Sequence, residues 1–175
     1  MIELWNIVFV EYIREKDLSL VSLEKKFVDT GMGFERLAMV LQNKKSTYEI
    51  DTFNVIINSI CNITSVKYGN DDQKDIAVRI IADHIRSVCF SIADGQIPEN
   101  TGPGYVIRRI LRRAIRYSFS YLGMEKPFVF MLVKDVAKSM PDYNQINKNQ
   151  DFIEDIIQNE EKLFLKTLNK GLTLI

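Results

Sequence analysis

The sequence is poor in the residues that build disulfide frameworks and zinc sites. It contains two cysteines, Cys61 and Cys89, and a single histidine. The cysteines lie far apart and outside any C-x-x-C spacing, so neither a disulfide framework nor a Cys/His zinc site can be assembled from this chain. Such sparse use of cysteine is typical of the reducing cytoplasm, and we expect a cytoplasmic protein.

Long apolar runs are also absent. No run approaches the roughly 18 to 20 residues that are needed to cross a bilayer, and the first residues lack the basic start of a signal peptide. The 23 basic residues balance the 23 acidic ones, and 46% of the 175 residues are hydrophobic, which excludes a disordered chain. The composition indicates a globular protein with no membrane partner, long enough for one domain or one and a half.

The first third of the chain predicts two strands, a glycine turn and a helix. Residues 4–13 place Trp, Ile, Val, Phe and Tyr on both alternating faces, which is typical of a strand buried on both sides. A charged loop at 14–17 precedes a second strand near 27–30. That strand is predicted to run into a Gly-Met-Gly turn, which begins at Gly31, and then into a helix that reaches Leu41.

Beyond Ser46 the hydrophobic period is helical. One helix is predicted to be capped by Asp71 or Asp72 and ended by Gly95. The other predicted helices cover Ile50–Ile63, about Tyr105–Leu122, Phe128–Ser139 and Asp151–Leu172. We therefore expect an α+β portion at 1–54 and an all-α portion at 55–175, mainly α overall. Because the chain starts inside an apolar strand and ends on apolar residues 172–175, both termini are expected to be cut.

The Gly-Met-Gly turn is a candidate nucleotide site. Gly31 and Gly33 would let a ligand approach the backbone next to a helix N-terminus. The third glycine of a dinucleotide fingerprint is replaced by Arg36, so the Rossmann reading fails. Arg36 could instead lay its guanidinium on a purine ring or a phosphate, or it could be an ordinary solvated side chain. Asp29 could bind an ammonium group by a charge-assisted bond, or it could simply cap or turn the chain.

A second candidate site is a cluster of arginines, which we call the arginine face. No acidic residue occurs between Asn100 and Met124. The five cations fall within an arc of about 140° on one predicted helix; they are Arg108, Arg109, Arg112, Arg113 and Arg116. A polyanion such as an RNA backbone fits this face, and the alternative is that acids elsewhere, such as those at 151–161, neutralise it. Tyr117, Phe119 and Tyr121 are expected in the core.

The loop before this helix offers a group that could read a base. Asn100 lies in the Gly/Pro-rich loop 98–104, and its amide can donate and accept hydrogen bonds at once. The sequence alone therefore separates a residue that could discriminate from arginines that could supply affinity.

Four sequence blocks, in order, closely resemble the alanyl-tRNA synthetases, a family of class II aminoacyl-tRNA synthetases. The blocks are LWNIVF (4–9), VDTGMGFERL (28–37), ADHIR (82–86) and GYVIRRILRR (104–113). The resemblance covers almost the whole chain. It implies that 1–54 is the end of a class II catalytic domain, a remnant of its antiparallel sheet with motif 3, and that 55–175 is a truncated helical domain that recognises the tRNA acceptor stem.

The resemblance also implies roles for single residues. Arg36 would lie against the adenine of ATP, and Asp29, with Gly31, would bind alanine through its amino group. The expected ATP-binding residues are Gly31, Gly33, Arg36, Glu3 and Asn6. Asn100 would read a G·U wobble pair in the acceptor stem, and the expected tRNA-binding residues are Asn100, Arg108, Arg109, Arg112, Arg113 and Arg116. No residue of the chain is expected to act as a catalyst or metal ligand.

The implied reaction is the activation of alanine by ATP and its transfer to the alanine tRNA. ATP would bring Mg²⁺, and no zinc is expected, since the zinc ligands of the family lie in its editing region. The implied partners are alanine, ATP and tRNA, with no DNA. Class II motifs 1 and 2 would precede Met1, and the editing region would follow Ile175, so the isolated chain is expected to be inactive. The alternative is a non-catalytic helical RNA-binding or regulatory module derived from a synthetase.

Overall fold

A computed structural model describes residues 2–172, with the backbone alone for Leu172. The chain divides into two compact units, of which one ends at Ile50 and the other begins at Asp51. The apolar C-terminal residues 173–175, the side chain of Leu172 and Met1 lie outside the described part. The architecture is mainly α with an antiparallel strand pair, as predicted.

The first unit is built on an antiparallel hairpin. Strand β1 covers Trp5–Arg14 and strand β2 covers Leu20–Met32. Leu18 takes a left-handed backbone conformation (φ 70°) in the connecting turn, and the Asp17 carboxylate accepts a hydrogen bond from the Ser19 backbone N–H at 3.0 Å. Both strands were predicted, but β2 begins at Leu20, well before residue 27. The consecutive charges Glu24, Lys25 and Lys26 interrupt its apolar pattern, so the sequence prediction started the strand too late.

The prediction that β1 is buried on both faces is wrong for the described residues. The exposed fraction is 55% for Trp5 and 74% for Phe9. The apolar composition of a strand shows that it suits a buried position, but it does not show which layer covers it. The described strands form a two-stranded sheet, and most residues of β1 are exposed.

The predicted glycine turn is shorter than expected. β2 continues through Gly31 to Met32, and Gly33 alone forms the junction, with φ −74° and ψ 109°, as the N-cap of α1. Helix α1 covers Phe34–Leu41. Because Gly33 has an ordinary extended backbone, its use here lies in the absence of a side chain and not in a left-handed conformation.

The second unit is an all-helical bundle. Its helices are α2 (Asp51–Thr64), α3 (Asp72–Ala93), α4 (Gly102–Leu122), α5 (Val133–Ser139), α6 (Asn144–Lys148) and α7 (Gln150–Leu172). A 3-10 turn, Val129–Leu132, precedes α5. The fully buried core includes Ile81, Leu111 and Ile157. α6 was not predicted, since one helical turn carries too little periodic pattern. No helix in the described chain is both long and apolar enough to cross a membrane.

The predicted ends of α3 are confirmed. The Asp71 carboxylate accepts hydrogen bonds from the backbone N–H groups of Gln73 and Lys74, at 2.9 and 3.2 Å. Gly95 follows the helix with φ 88°, a conformation that favours glycine. These caps fix the length of α3, and therefore the position at which the chain turns towards α4.

A buried carboxylate joins α7 to the 3-10 turn. Glu161 is fully buried and accepts backbone hydrogen bonds from Phe128, Val129 and Phe130, at 2.9, 3.0 and 3.3 Å. Burial raises the pKa of the Glu161 carboxyl, and the three N–H donors oppose that rise. The side chain satisfies N–H groups that have no partner within the turn, so it acts as a distant cap.

We expect Glu161→Ala to lower the free energy of unfolding of the helical unit by on the order of 3 kcal/mol, since it leaves two buried N–H groups and one half-buried N–H group without an acceptor. Asp155→Ala is the matched control: it removes an exposed carboxylate from the same helix and should change stability by about 0.5 kcal/mol or less. Denaturant titration followed by circular dichroism measures both. Equal losses in the two variants would contradict this role for Glu161.

Candidate functional site

The strand register brings three of the candidate residues of the first unit to one face of the hairpin. Asn6 pairs with Gly31, and Asp29 pairs with Val8. Directly paired residues and those two positions apart share a face, so Asn6, Asp29 and Gly31 lie together. Asn6 and Asp29 are diagonal neighbours, a relationship that places Cα atoms about 7 to 8 Å apart.

Gly31 opens a space between the two polar side chains. A Cβ atom built at Gly31 would meet no atom within 4 Å, and the side chains of Asn6 and Asp29 are exposed. The arrangement therefore offers an amide and a carboxylate on either side of a bare stretch of backbone. It suits a small ligand with an ammonium group that contacts Asp29.

The opposite face of the hairpin is fixed by its own hydrogen bonds. The Trp5 indole N–H donates to the Thr30 hydroxyl, and this hydroxyl donates to the carbonyl oxygen of Asn6 at 3.1 Å. These bonds hold the two strands together beside the Asn6–Gly31 pair. They keep the polar face in register with no help from a third strand in the described chain.

Arg36 lies at the base of α1 and is anchored to the start of the chain. Its Nη1 donates to the carbonyl oxygen of Glu3 at 2.8 Å, and the backbone N–H of Gly33 donates to the carbonyl oxygen of Leu4 at 3.1 Å. A Cβ atom at Gly33 would lie 3.2 Å from the Cδ of Arg36. Gly33 therefore leaves room for the arginine to fold back, and the exposed guanidinium stays available to a ligand.

No group of three or more His, Cys, Asp or Glu side chains within residues 2–171 is placed to hold a metal ion. A magnesium ion that arrives with nucleotide phosphates needs only one or two protein ligands. Asn6, the second residue of β1, and Glu3, which precedes that strand, are both exposed.

The arginine face belongs to α4 in the second unit. Ile107, Leu111, Ala114 and Ile115 are buried on the opposite side of this helix, which confirms the predicted amphipathic pattern. The helix is anchored by this apolar side, so the guanidinium groups are carried on a rigid support.

The arginine face is not uniformly exposed, contrary to the sequence interpretation. The Nε atoms of Arg108 and Arg112 donate to the same Oε1 of Glu160, at 2.8 and 2.6 Å, and their side chains are 19% and 36% exposed. Glu160 lies on α7 and is itself buried. The alternative that acids at 151–161 neutralise the face is therefore correct for two of the five arginines.

The other three arginines are exposed and line a cleft. Arg109, Arg113 and Arg116 border, together with Arg112, a cavity of about 360 Å³ whose aromatic walls are Tyr117 and Phe164. The guanidinium groups of Arg113 and Arg116 each lie 5.7 Å from the centre of the Tyr117 ring. These contacts orient the cations towards the cleft, an arrangement that suits a polyanion.

The aromatic residues of α4 are not the core residues that we expected. Tyr117 is half-buried, and Tyr121 is 41% exposed and stacks on Tyr117 at 5.2 Å between ring centres. Of the two, Tyr117 lines the arginine cleft, and Tyr121 supports it by stacking. On a helix, positions 117 and 121 share one face and position 119 lies on the opposite face, so the three alternating aromatics do not form a single buried stripe.

The loop before α4 is packed tightly onto the first helical turn. The backbone N–H of Glu99 donates to the carbonyl oxygen of Gly104 at 3.0 Å. A Cβ atom at Gly104 would lie 2.5 Å from the carbonyl oxygen of Ile97. Asn100 is exposed in this loop, and its Oδ1 accepts a hydrogen bond from Nη1 of Arg108. The structure thus brings Asn100 into contact with the arginine face.

Two residues of this site were missed by sequence reasoning. Glu160 was recognised only as part of an acidic stretch, and Phe164 was not singled out. Phe164 lies one turn after Glu160 on α7, and its ring centre is 5.1 Å from the Arg112 guanidinium. Their spacing of four residues indicates a shared helical face, but the sequence gives no sign that this face meets α4.

Comparisons with known proteins place this chain among synthetases. The family model described as tRNA synthetases class II (A) matches residues 1–175. The chain is 50% identical to the alanine–tRNA ligase of Christiangramia forsetii and 48% identical to that of Bacteroides fragilis, in both cases over 100% of this chain and 20% of the relative. For the Cytophaga hutchinsonii ligase the identity is 47% over 99% of this chain. The chain spans about a fifth of the length of these relatives.

Proposed function

The chain belongs to the class II tRNA synthetases, and we propose that it is a segment of an alanine–tRNA ligase. The observation that carries the proposal is the identity of about half of all residues, over the entire chain, to ligases of this name. The geometry supports it in two places: a polar face with an open glycine in the first unit, and in the second a cationic cleft on α4, the helix whose Arg108 contacts Asn100.

In this proposal the first unit contributes to the binding of alanine and ATP. Asp29 binds the ammonium group of alanine, and Gly31 leaves the space that the amino acid needs. Arg36 lies on the adenine ring, with Gly33 allowing its approach. Glu3 and Asn6 face the phosphates and their Mg²⁺. ATP supplies the phosphorus centre that the alanine carboxylate attacks, which releases pyrophosphate and leaves the adenylate.

The second unit contributes the surface for the tRNA acceptor stem. Arg109, Arg113 and Arg116 contact phosphates, and Asn100 reads the G·U pair from the minor groove. Arg108 and Arg112, which we included among the tRNA-binding residues, have their charge compensated by Glu160. They therefore add less to the attraction for phosphate than the three exposed arginines.

One observation favours the non-catalytic alternative. The cleft, Asn100 and Glu160 all belong to the unit that begins at Asp51, so every residue that we propose for RNA binding lies in the helical unit. An RNA-binding or regulatory module is therefore the second candidate. The genomic reading frame upstream of Met1 separates the two, since a ligase requires class II motifs 1 and 2 there.

The 175-residue chain by itself should not form alanyl-adenylate at an appreciable rate. The arginine of motif 2, which binds the α-phosphate, is not among its residues, and positioning and electrostatic stabilisation supply most of the acceleration in such reactions. Alanine-dependent pyrophosphate exchange is the measurement, with the full-length protein as the positive control. Exchange by the chain at the rate of the full-length protein would contradict this expectation.

Asp29→Asn and Arg36→Ala should impair different substrates in the full-length protein. Asp29→Asn removes the partner of an ammonium group, so it should raise the KM for alanine by a factor that corresponds to about 2 to 4 kcal/mol, with little effect on ATP. Arg36→Ala should raise the KM for ATP more than the KM for alanine. Pyrophosphate exchange at varied alanine and ATP measures both. If either variant weakened the two substrates equally, its assignment would be wrong.

The three exposed arginines should dominate the salt dependence of RNA binding. If they contact phosphates, the logarithm of the RNA affinity should fall with the logarithm of the salt concentration with a slope of about −2 to −3. Arg109→Ala, Arg113→Ala or Arg116→Ala should each make this slope shallower by nearly 1. Arg112→Ala should change it less, because Glu160 already neutralises that charge. Lys134→Ala, an exposed charge on α5, is the control for net charge. Filter binding of an acceptor-stem hairpin gives the slopes; identical slopes in all variants would reject the arrangement.

A further inference from the structure

Arg108 contacts two elements at once. Its Nε donates to Glu160 on α7 at 2.8 Å, and its Nη1 donates to Oδ1 of Asn100 in the loop before α4. Its side chain is only 19% exposed, whereas Asn100 is exposed. Arg108 therefore links a buried carboxylate to a side chain at the surface.

This contact fixes which way the Asn100 amide faces. An arginine side chain has N–H donors and no acceptor, so only the oxygen of the amide can meet it. Oδ1 of Asn100 is directed at Arg108, and Nδ2, on the other branch of the planar amide, points away from it. The group that Asn100 offers to a ligand is thus an N–H donor.

The backbone of the loop is held as firmly as the side chain. The Glu99–Gly104 hydrogen bond closes the loop onto α4, and the 2.5 Å approach of the Ile97 carbonyl oxygen to a Cβ at position 104 leaves no room for any residue but glycine. The backbone on both sides of Asn100 is therefore held in place, and the hydrogen bond to Arg108 restrains the rotation of its side chain.

We propose that Arg108, anchored by Glu160, is a positioning residue that sets the Asn100 amide to donate a hydrogen bond to an acceptor atom in the RNA minor groove. This inference rests on the proposed role of Asn100 in reading the G·U pair. Arg108 itself contacts no phosphate, because its charge faces Glu160. Its effect is on discrimination between RNAs and not on the affinity that all RNAs share.

The test compares two arginines that share the Glu160 carboxylate. Arg108→Met removes the contact to Asn100, while Arg112→Met removes an equal charge and the other bond to Glu160. Arg108→Met should shrink the preference of the full-length protein for a G·U over a G·C acceptor-stem hairpin by about three- to tenfold, the loss of one hydrogen bond, with an unchanged salt slope. Arg112→Met should lower the affinity for both hairpins alike and keep their ratio.

Asn100→Asp provides a second variant, at a surface position where misfolding is not a concern. Aspartate keeps the oxygen that Arg108 binds but has no N–H to donate. It should lose the G·U preference as fully as Asn100→Ala does. Retention of the preference in Asn100→Asp would overturn the assignment of Nδ2 as the reading group.

The outcomes separate this inference from the proposed function. If Asn100→Ala keeps the G·U preference, Asn100 does not read the pair, and the proposed function fails at this site. If Asn100→Ala loses the preference but Arg108→Met keeps it, or flattens the salt slope by nearly 1, Arg108 is no positioning residue and the inference alone is wrong. Thermal melting of Arg108→Met beside Arg112→Met verifies that both variants fold to the same extent.

Discussion

Two consecutive buried carboxylates on α7 determine how the helical unit is assembled. Glu160 and Glu161 are about 100° apart around the helix, so their side chains contact different neighbours. Glu160 accepts from two arginines of α4, and Glu161 accepts from three backbone N–H groups at 128–130. A buried carboxylate without partners is costly, so α7 is restricted to the rotation and translation that satisfy both. Apolar packing alone would tolerate a shift that these two groups forbid.

The same constraint divides the arginine face. Arg108 and Arg112 are about 40° apart around α4 and form the edge of the arc that faces α7. The other three arginines lie further from α7 around the helix; they are Arg109, Arg113 and Arg116. One carboxylate therefore relieves the repulsion between two stacked cations and leaves the others at the cleft. A chain with no net charge can in this way present a strongly cationic surface, because its acids are placed elsewhere.

Sequence reasoning succeeded where the signal is local. The cap at Asp71, the end of α3 at Gly95 and the buried stripe of α4 all follow from short-range spacing, and each is present. It failed where the answer depends on a distant segment: periodicity placed five arginines on one face, but only the packing of α7 shows which of them meet Glu160. The family resemblance suggested which residues form the site, and the strand register supplied the geometry that brings Asn6, Asp29 and Gly31 together.

The two units differ in how well they can hold a site. The proposed RNA surface is carried by α4 and α7, whose inner faces are packed in a common core, so its side chains are placed by rigid helices. Of the residues that we propose to bind alanine and ATP, Asn6, Asp29 and Gly31 lie on a two-stranded sheet whose apolar side chains, such as Trp5 and Phe9, are exposed in the described structure. A two-stranded hairpin is only marginally stable by itself, and main-chain pairing with the Trp5–Thr30 bond is a weak support for a binding geometry. The proposed binding of alanine and ATP by the first unit therefore depends strongly on additional packing around the hairpin. The proposed RNA recognition by the second unit depends on such packing far less.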